Sequence, residues 1–227
     1  MEEKKQKKKQ KMEPVRVCCK RIEFGVAACN TCAWFMTAHD ITHVEVGFKR
    51  VCKPDCPYRT LKGQHQPGTI HWVYYTAAMP QGVIRAVSRS HVDKIGMWQA
   101  IDIMIPTENA TLMEEFFLYE LGKPYDDWRM YTLPIRKFWA FERPLDKVDT
   151  EPIIYPPDLQ YRKRSRDKWI CSELIANALC VGGILPGNER IDVVTPGDIY
   201  DLIKLKFQNA KPGTQASTVL KFDYHNS

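Results

Sequence analysis

No stretch of these 227 residues approaches the run of about 18 to 20 apolar side chains that a membrane-spanning helix needs. The opening segment MEEKKQKKKQKM has no apolar stretch behind its charges, which argues against a secretory signal. No internal repeat is visible, so solenoid and propeller architectures are not expected. Outside its first residues the chain also lacks net charge. Residues 1–21 carry nine Lys or Arg against three Glu, which accounts for the whole formal charge of +6. The remainder is neutral, so a globally basic nucleic-acid-binding body is excluded. The positive excess reads instead as a solvated tail over residues 1–14. Its partners would be nucleic acid or an acidic membrane surface, or it would act as a nuclear signal. Deleting residues 1–13 is expected to leave turnover unchanged.

What is present describes a single globular domain over 15–227, with 44% hydrophobic residues to build a core. DITHVEVGF alternates like a strand, with Val44 and Val46 on one face and His43 and Glu45 on the other. TIHWVYYTAA, GVIRAVS and WQAIDIMIP read as further strands, PQG as a tight turn, and STVLKFDYHNS as a last strand. Residues 49–68 form a turn-rich polar insertion. Thr111 and Glu114 have capping-box spacing at the start of a helix that Gly122 closes. From Lys123 to about residue 166 six prolines predict a long irregular loop, a substrate wall to which Tyr125, Trp128 and Trp139 would contribute apolar surface. Thr195, Pro196 and Asp198 mark another helix start.

The stretch DKWICSELIANALCVGG places Cys171, Leu174, Ile175, Ala178 and Leu179 on one helical face, with Cys171 at the helix tip. Amides at such a tip favour a thiolate, and the backbone N–H of Ser172 is placed to face a developing oxyanion. A cysteine on an apolar face also suits an inert core position, so the spacing alone leaves both readings open. A nucleophilic cysteine needs a base, and His43 is the candidate.

Eight cysteines are present, and a reducing, cytoplasmic setting without disulfides is expected for them, with nuclear or virion-associated placement as alternatives. Cys29 and Cys32 in CNTC, with Cys52 and Cys56 in CKPDC, have spacing that suits a structural zinc. Against zinc, VAACNTCAWF is hydrophobic, and buried or unbound cysteines are the competing reading.

WICSELIANAL resembles the nucleophile helix of the circularly permuted papain-like families of NlpC type. These comprise the YiiX-like proteins, relatives in large DNA viruses such as poxviruses and, more distantly, the lecithin:retinol acyltransferase family. THVEV, LGKPYD and VTPGDIYDL resemble the same proteins' base strand, pre-loop segment and following helix, in the same order, over roughly residues 35–205. The resemblance implies an α+β fold, with an antiparallel sheet or small barrel packed against the nucleophile helix. It implies a Cys171–His43 dyad acting on an amide, ester or thioester without a required cofactor, on a peptide, amide or lipid-acyl substrate. The acid that orients the histidine in such proteins is replaced here by Tyr75, with Glu45 and His71 as the other candidates for a third member. The competing class is a catalytically inactive papain-like protein, or a zinc-stabilised binding or virion protein.

Overall fold

The computed structural model describes residues 11–22, 40–52, 59–60, 63–64, 67–87, 98–140, 166–185, 194–208 and 218–220. The strands are β1 (Met12–Arg21), β2 (Ile41–Val51), β3 (Arg59–Thr60), β4 (Gly63–Gln64), β5 (Ile70–Ala78), β6 (Gly82–Val87), β7 (Trp98–Pro106) and β8 (Thr218–Leu220). The helices are α1 (Thr107–Glu120), α2 (Asp127–Ala140), α3 (Cys171–Val181) and α4 (Pro196–Gln208). Five long strands and the short β8 make one antiparallel sheet in the order β6-β5-β2-β1-β7-β8. The sheet is open, with β6 and β8 at its edges, and β3 and β4 form a separate small hairpin. The fold is therefore α+β, with an antiparallel sheet and not a closed barrel.

Alternation along the strands sorts their side chains into two layers. Val15, Val17 and Cys19 of β1, Val44, Val46 and Phe48 of β2, and Ile101, Ile103 and Ile105 of β7 share one core with α1, α3 and α4. The opposite face carries Cys18, Tyr74, Trp98 and Ala100, with Trp72 packed beside them. Each fully buried aliphatic or aromatic side chain of the main core contributes about 1.5 to 3 kcal/mol. Helix α3 lies deepest: every residue from Cys171 to Leu179 is buried, including Ser172, Glu173 and Asn177. Its last turn sits close to α1. Asn109 donates to the Gly182 carbonyl at 3.0 Å, and a Cβ at Gly182 would collide with Met113.

Four boundaries differ from the sequence expectations. Strand β2 continues through Val51, so Lys49, Arg50 and Val51, expected in the polar insertion, pair with β5. Strand β1 begins at Met12, so Met12, Glu13 and Pro14, expected in the tail, pair with β7. Glu13 also pairs with Arg50, so deleting residues 1–13 would remove the start of a strand and an ion-pair partner. Helix α1 begins at Thr107, one turn before the expected capping box. Thr111 donates to the Thr107 carbonyl at 2.9 Å, and the Glu114 carboxylate is taken by Arg50 and by Tyr75. Residues 127–140, read as loop, form α2, started by Asp126, whose side chain accepts from the Arg129 amide at 3.0 Å. Pro134 lies inside this helix, where it removes one backbone donor, and so gives the sequence the look of a loop. The start of α4 is as expected: Thr195 Oγ1 accepts from the Asp198 amide at 3.2 Å, and Asp198 accepts from the Thr195 amide at 2.8 Å.

Candidate active site

Residues 169 and 170 fix the point where α3 starts. Trp169 forms a parallel bridge with Tyr125, donating to the Pro124 carbonyl at 3.1 Å and accepting from the Asp126 amide at 3.0 Å. Its indole is fully buried, meets Phe116 edge-on, and donates from Nε1 to Glu120 at 2.5 Å. Lys123 holds the same carboxylate at 2.7 Å. Ile170 is extended, and the helix then begins with Cys171. Among the described residues no side chain caps this end, and the Leu174 amide donates to the Ile170 carbonyl at 3.1 Å. The amides of Cys171 and Ser172 thus stand at the positive end of the helix, where negative charge is stabilised.

Glu173, in the same first turn, is fully buried, and a lone carboxylate there would oppose negative charge on the sulfur. Arg129 of α2 and Arg166 answer it, at 3.3 and 3.5 Å. The Ser172 hydroxyl is buried and has no hydrogen-bond partner among the described residues. A buried orphan hydroxyl contributes nothing to offset its own desolvation. Ser172→Ala is therefore expected to leave stability unchanged or raise it by up to about 1 kcal/mol; calorimetry checks this as an unchanged or higher thermal midpoint, and a clear loss would contradict it.

His43 comes from β2. The β2–β5 ladder runs from Val51↔Ile70 to Val46↔Tyr75. Beyond it, the Thr76 hydroxyl donates to the Val44 carbonyl at 2.9 Å, where a ladder bond would otherwise fall. In this part of β2, paired with β1 but beyond the end of the β5 ladder, the His43 ring lies beside Cys171. Its Nε2 lies 3.4 Å from Glu45 Oε1 and 3.2 Å from Thr76 Oγ1, and Trp98 packs edge-on against the ring. Burial opposes charge on the imidazole, but the neighbouring Cys171, through charge and hydrogen bonding, and then Glu45 push the pKa up to about 10. Burial, followed by nearby Cys171, raises the Cys19 thiol well above its ordinary range. Burial, followed by Glu45, does the same to Cys18, so both stay neutral.

Of the three candidates for a third member, the structure brings Glu45 to the ring. The Tyr75 hydroxyl donates to Glu114 at 3.0 Å, and its ring stacks on Phe117 in the main core. His71 pairs with Arg50 far along β5, five residues from Thr76 and so about 16 Å away along the strand. Thr76 is the contact that the sequence did not single out. Its position directly after Tyr75, on the opposite face of β5, was the available signal.

Tyr125 stands beside the site: burial, and then the proximity of Cys171, raise its phenol above the ordinary range. Its hydroxyl meets the Met130 sulfur at 3.4 Å. Trp128, proposed as a second wall residue, is 76% exposed, and the Trp139 side chain lies outside the described residues. The sulfur itself is sheltered, with Cys171 5% exposed, whereas the His43 side chain is 22% exposed. Of the zinc candidates, Cys52 is buried, and its amide donates to the Thr69 carbonyl. Cys29, Cys32 and Cys56 lie outside the described residues, among which no group of three or more His, Cys, Asp or Glu is gathered to hold a metal. Among the described residues no helix is long and apolar enough to cross a membrane.

Neither a family model, nor a curated protein, nor a solved structure matches the chain.

Proposed function

We propose that this protein is a cysteine-dependent hydrolase or acyltransferase of permuted papain-like type, with Cys171 as nucleophile, His43 as general base and acid, and Glu45 as the third member. One observation carries the reading: the imidazole of a strand histidine stands beside the cysteine at a helix tip and 3.4 Å from a buried carboxylate. That is the arrangement an activated thiol needs.

The sulfur attacks the carbonyl carbon of an amide, ester or thioester. The carbonyl π pair moves to oxygen, where the amides of Cys171 and Ser172 are placed to receive the charge. As the tetrahedral intermediate collapses, the charged His43 ring protonates the departing amine, alcohol or thiol, and a thioester remains on Cys171. Neutral His43 then takes a proton from water, or from an acceptor amine or alcohol, whose oxygen or nitrogen attacks the thioester and releases the thiolate. Throughout, Glu45 stabilises the charged ring and requires no proton transfer of its own. The half-buried Tyr125 supplies apolar surface beside the sulfur, which suits a peptide or lipid-acyl donor.

The 5% exposure of Cys171 is the observation that favours the competing reading, a catalytically inactive binding or virion protein. Acylation by p-nitrophenyl acetate separates the two. Wild-type protein is expected to release a burst of p-nitrophenolate with one acetyl group on Cys171, and Cys171→Ala should abolish the burst while retaining the native circular dichroism. A wild-type protein that gives no burst, or a burst that survives in Cys171→Ala, contradicts the enzyme reading.

A further inference from the structure

Thr76 lies in β5, fully buried, with its hydroxyl between two groups of β2. A hydroxyl has one proton to give and two lone pairs to offer. The Val44 carbonyl, at 2.9 Å, is the better acceptor of that proton, since the Ala77 carbonyl is 3.4 Å away. With the proton so committed, Oγ1 faces His43 Nε2, 3.2 Å away, as an acceptor. We propose that Thr76 is a positioning residue of the dyad: it accepts from Nε2–H, keeps that proton on Nε2 when the ring is neutral, and thereby turns Nδ1 to the Cys171 sulfur.

This inference rests on the reading of Cys171 and His43 as nucleophile and base. It assigns different work to the two groups on Nε2. Glu45, at 3.4 Å, supplies negative charge, which favours the protonated ring. Thr76, closer and uncharged, supplies direction, and it does so in both protonation states of the ring. The distinction matters in the second half of turnover, when the ring must be neutral with its free lone pair on Nδ1. A ring protonated on Nδ1 would present no base to the incoming water or acceptor. The same hydroxyl takes the place of the β2–β5 ladder beside Val44, so the feature that ends the ladder also sets the tautomer.

Thr76→Val keeps the side-chain shape and removes the hydroxyl, whereas Thr76→Ser keeps the hydroxyl. The probes are ring ¹⁵N spectra of His43, which identify the tautomer, and alkylation of Cys171 by iodoacetamide, mapped by mass spectrometry. In wild-type protein at a pH that deprotonates the ring, the Nε2–H tautomer is expected. In Thr76→Val, mixed tautomers and an alkylation rate lower on the order of tenfold are expected, with Thr76→Ser restoring both. A Val variant with the wild-type tautomer overturns the proposal, since Glu45 alone would then suffice. A Ser variant as impaired as the Val variant also overturns it, because the loss would then come from packing. Failure of the underlying dyad looks different: His43→Ala would leave the wild-type alkylation rate unchanged, while the tautomer spectra would still report on Thr76.

Discussion

Replacing His43 with Ala should slow alkylation of Cys171 by iodoacetamide at neutral pH by on the order of 100-fold, because the charged ring that favours a thiolate is gone. The ring titrates at about 10 in the folded protein, against 6.5 as its ordinary value. It therefore remains charged throughout the neutral range. Proton binding is tighter in the folded state than in the unfolded one, so this group's contribution to stability is complete below about pH 6.5 and is lost as pH rises through about 10. Alkylation and acyl transfer should part at that upper limit. Alkylation needs only the thiolate and should not fall above pH 10. Acyl transfer needs the charged ring to protonate the leaving group and should fall there. A His43→Ala protein that alkylates Cys171 at the wild-type rate would show that the ring does not activate the sulfur.

Trp169→Ala should be among the most damaging single changes to the fold. The indole is fully buried against Phe116 and donates to Glu120, so its removal opens a large cavity and takes a partner from a buried carboxylate. The expected cost is about 3 to 5 kcal/mol, which lowers the thermal midpoint by roughly 10 °C for a chain of this size. The buried indole also anchors, through Phe116 and Glu120, the segment that leads into Cys171, so nucleophile reactivity should fall with stability. Trp169→Phe separates the two effects. It keeps an aromatic ring in the core and leaves Lys123 on Glu120, so a cost of about 1 kcal/mol is expected, with Cys171 alkylated within a few-fold of wild type. A Trp169→Ala protein with an unchanged melting temperature would contradict the packing described here.

The elements that declared themselves in the sequence are those whose signals are local. The stripe from Cys171 to Leu179 forms α3, and Thr195 with Asp198 caps α4 as the spacing predicts. Alternation alone put His43 and Glu45 on one face of β2, and they are in contact. Helix α2 was hidden because Pro134 lies in its interior, while its real start signal, Asp126, sat in a stretch read as loop. The partner of His43 on β5 was hidden for another reason. Residues 52–69 separate β2 from β5, and nothing in them reveals the register. A one-residue difference in register exchanges the two faces of a strand. The register Val46↔Tyr75 sends Tyr75 to the core and leaves Thr76 for the histidine. The pairing of Glu173 with Arg129 and Arg166 was equally invisible, since it joins α3 to α2 and to the residues just before α3.

The most direct test of the dyad is the titration of the His43 ring by NMR in wild-type protein and in Cys171→Ala. With the sulfur in place the ring should titrate near pH 10. Without it the largest upward influence is removed, and the midpoint should fall by roughly one unit or more. A wild-type ring that titrates near its ordinary value and does not respond to loss of the sulfur would mean that the two groups do not meet.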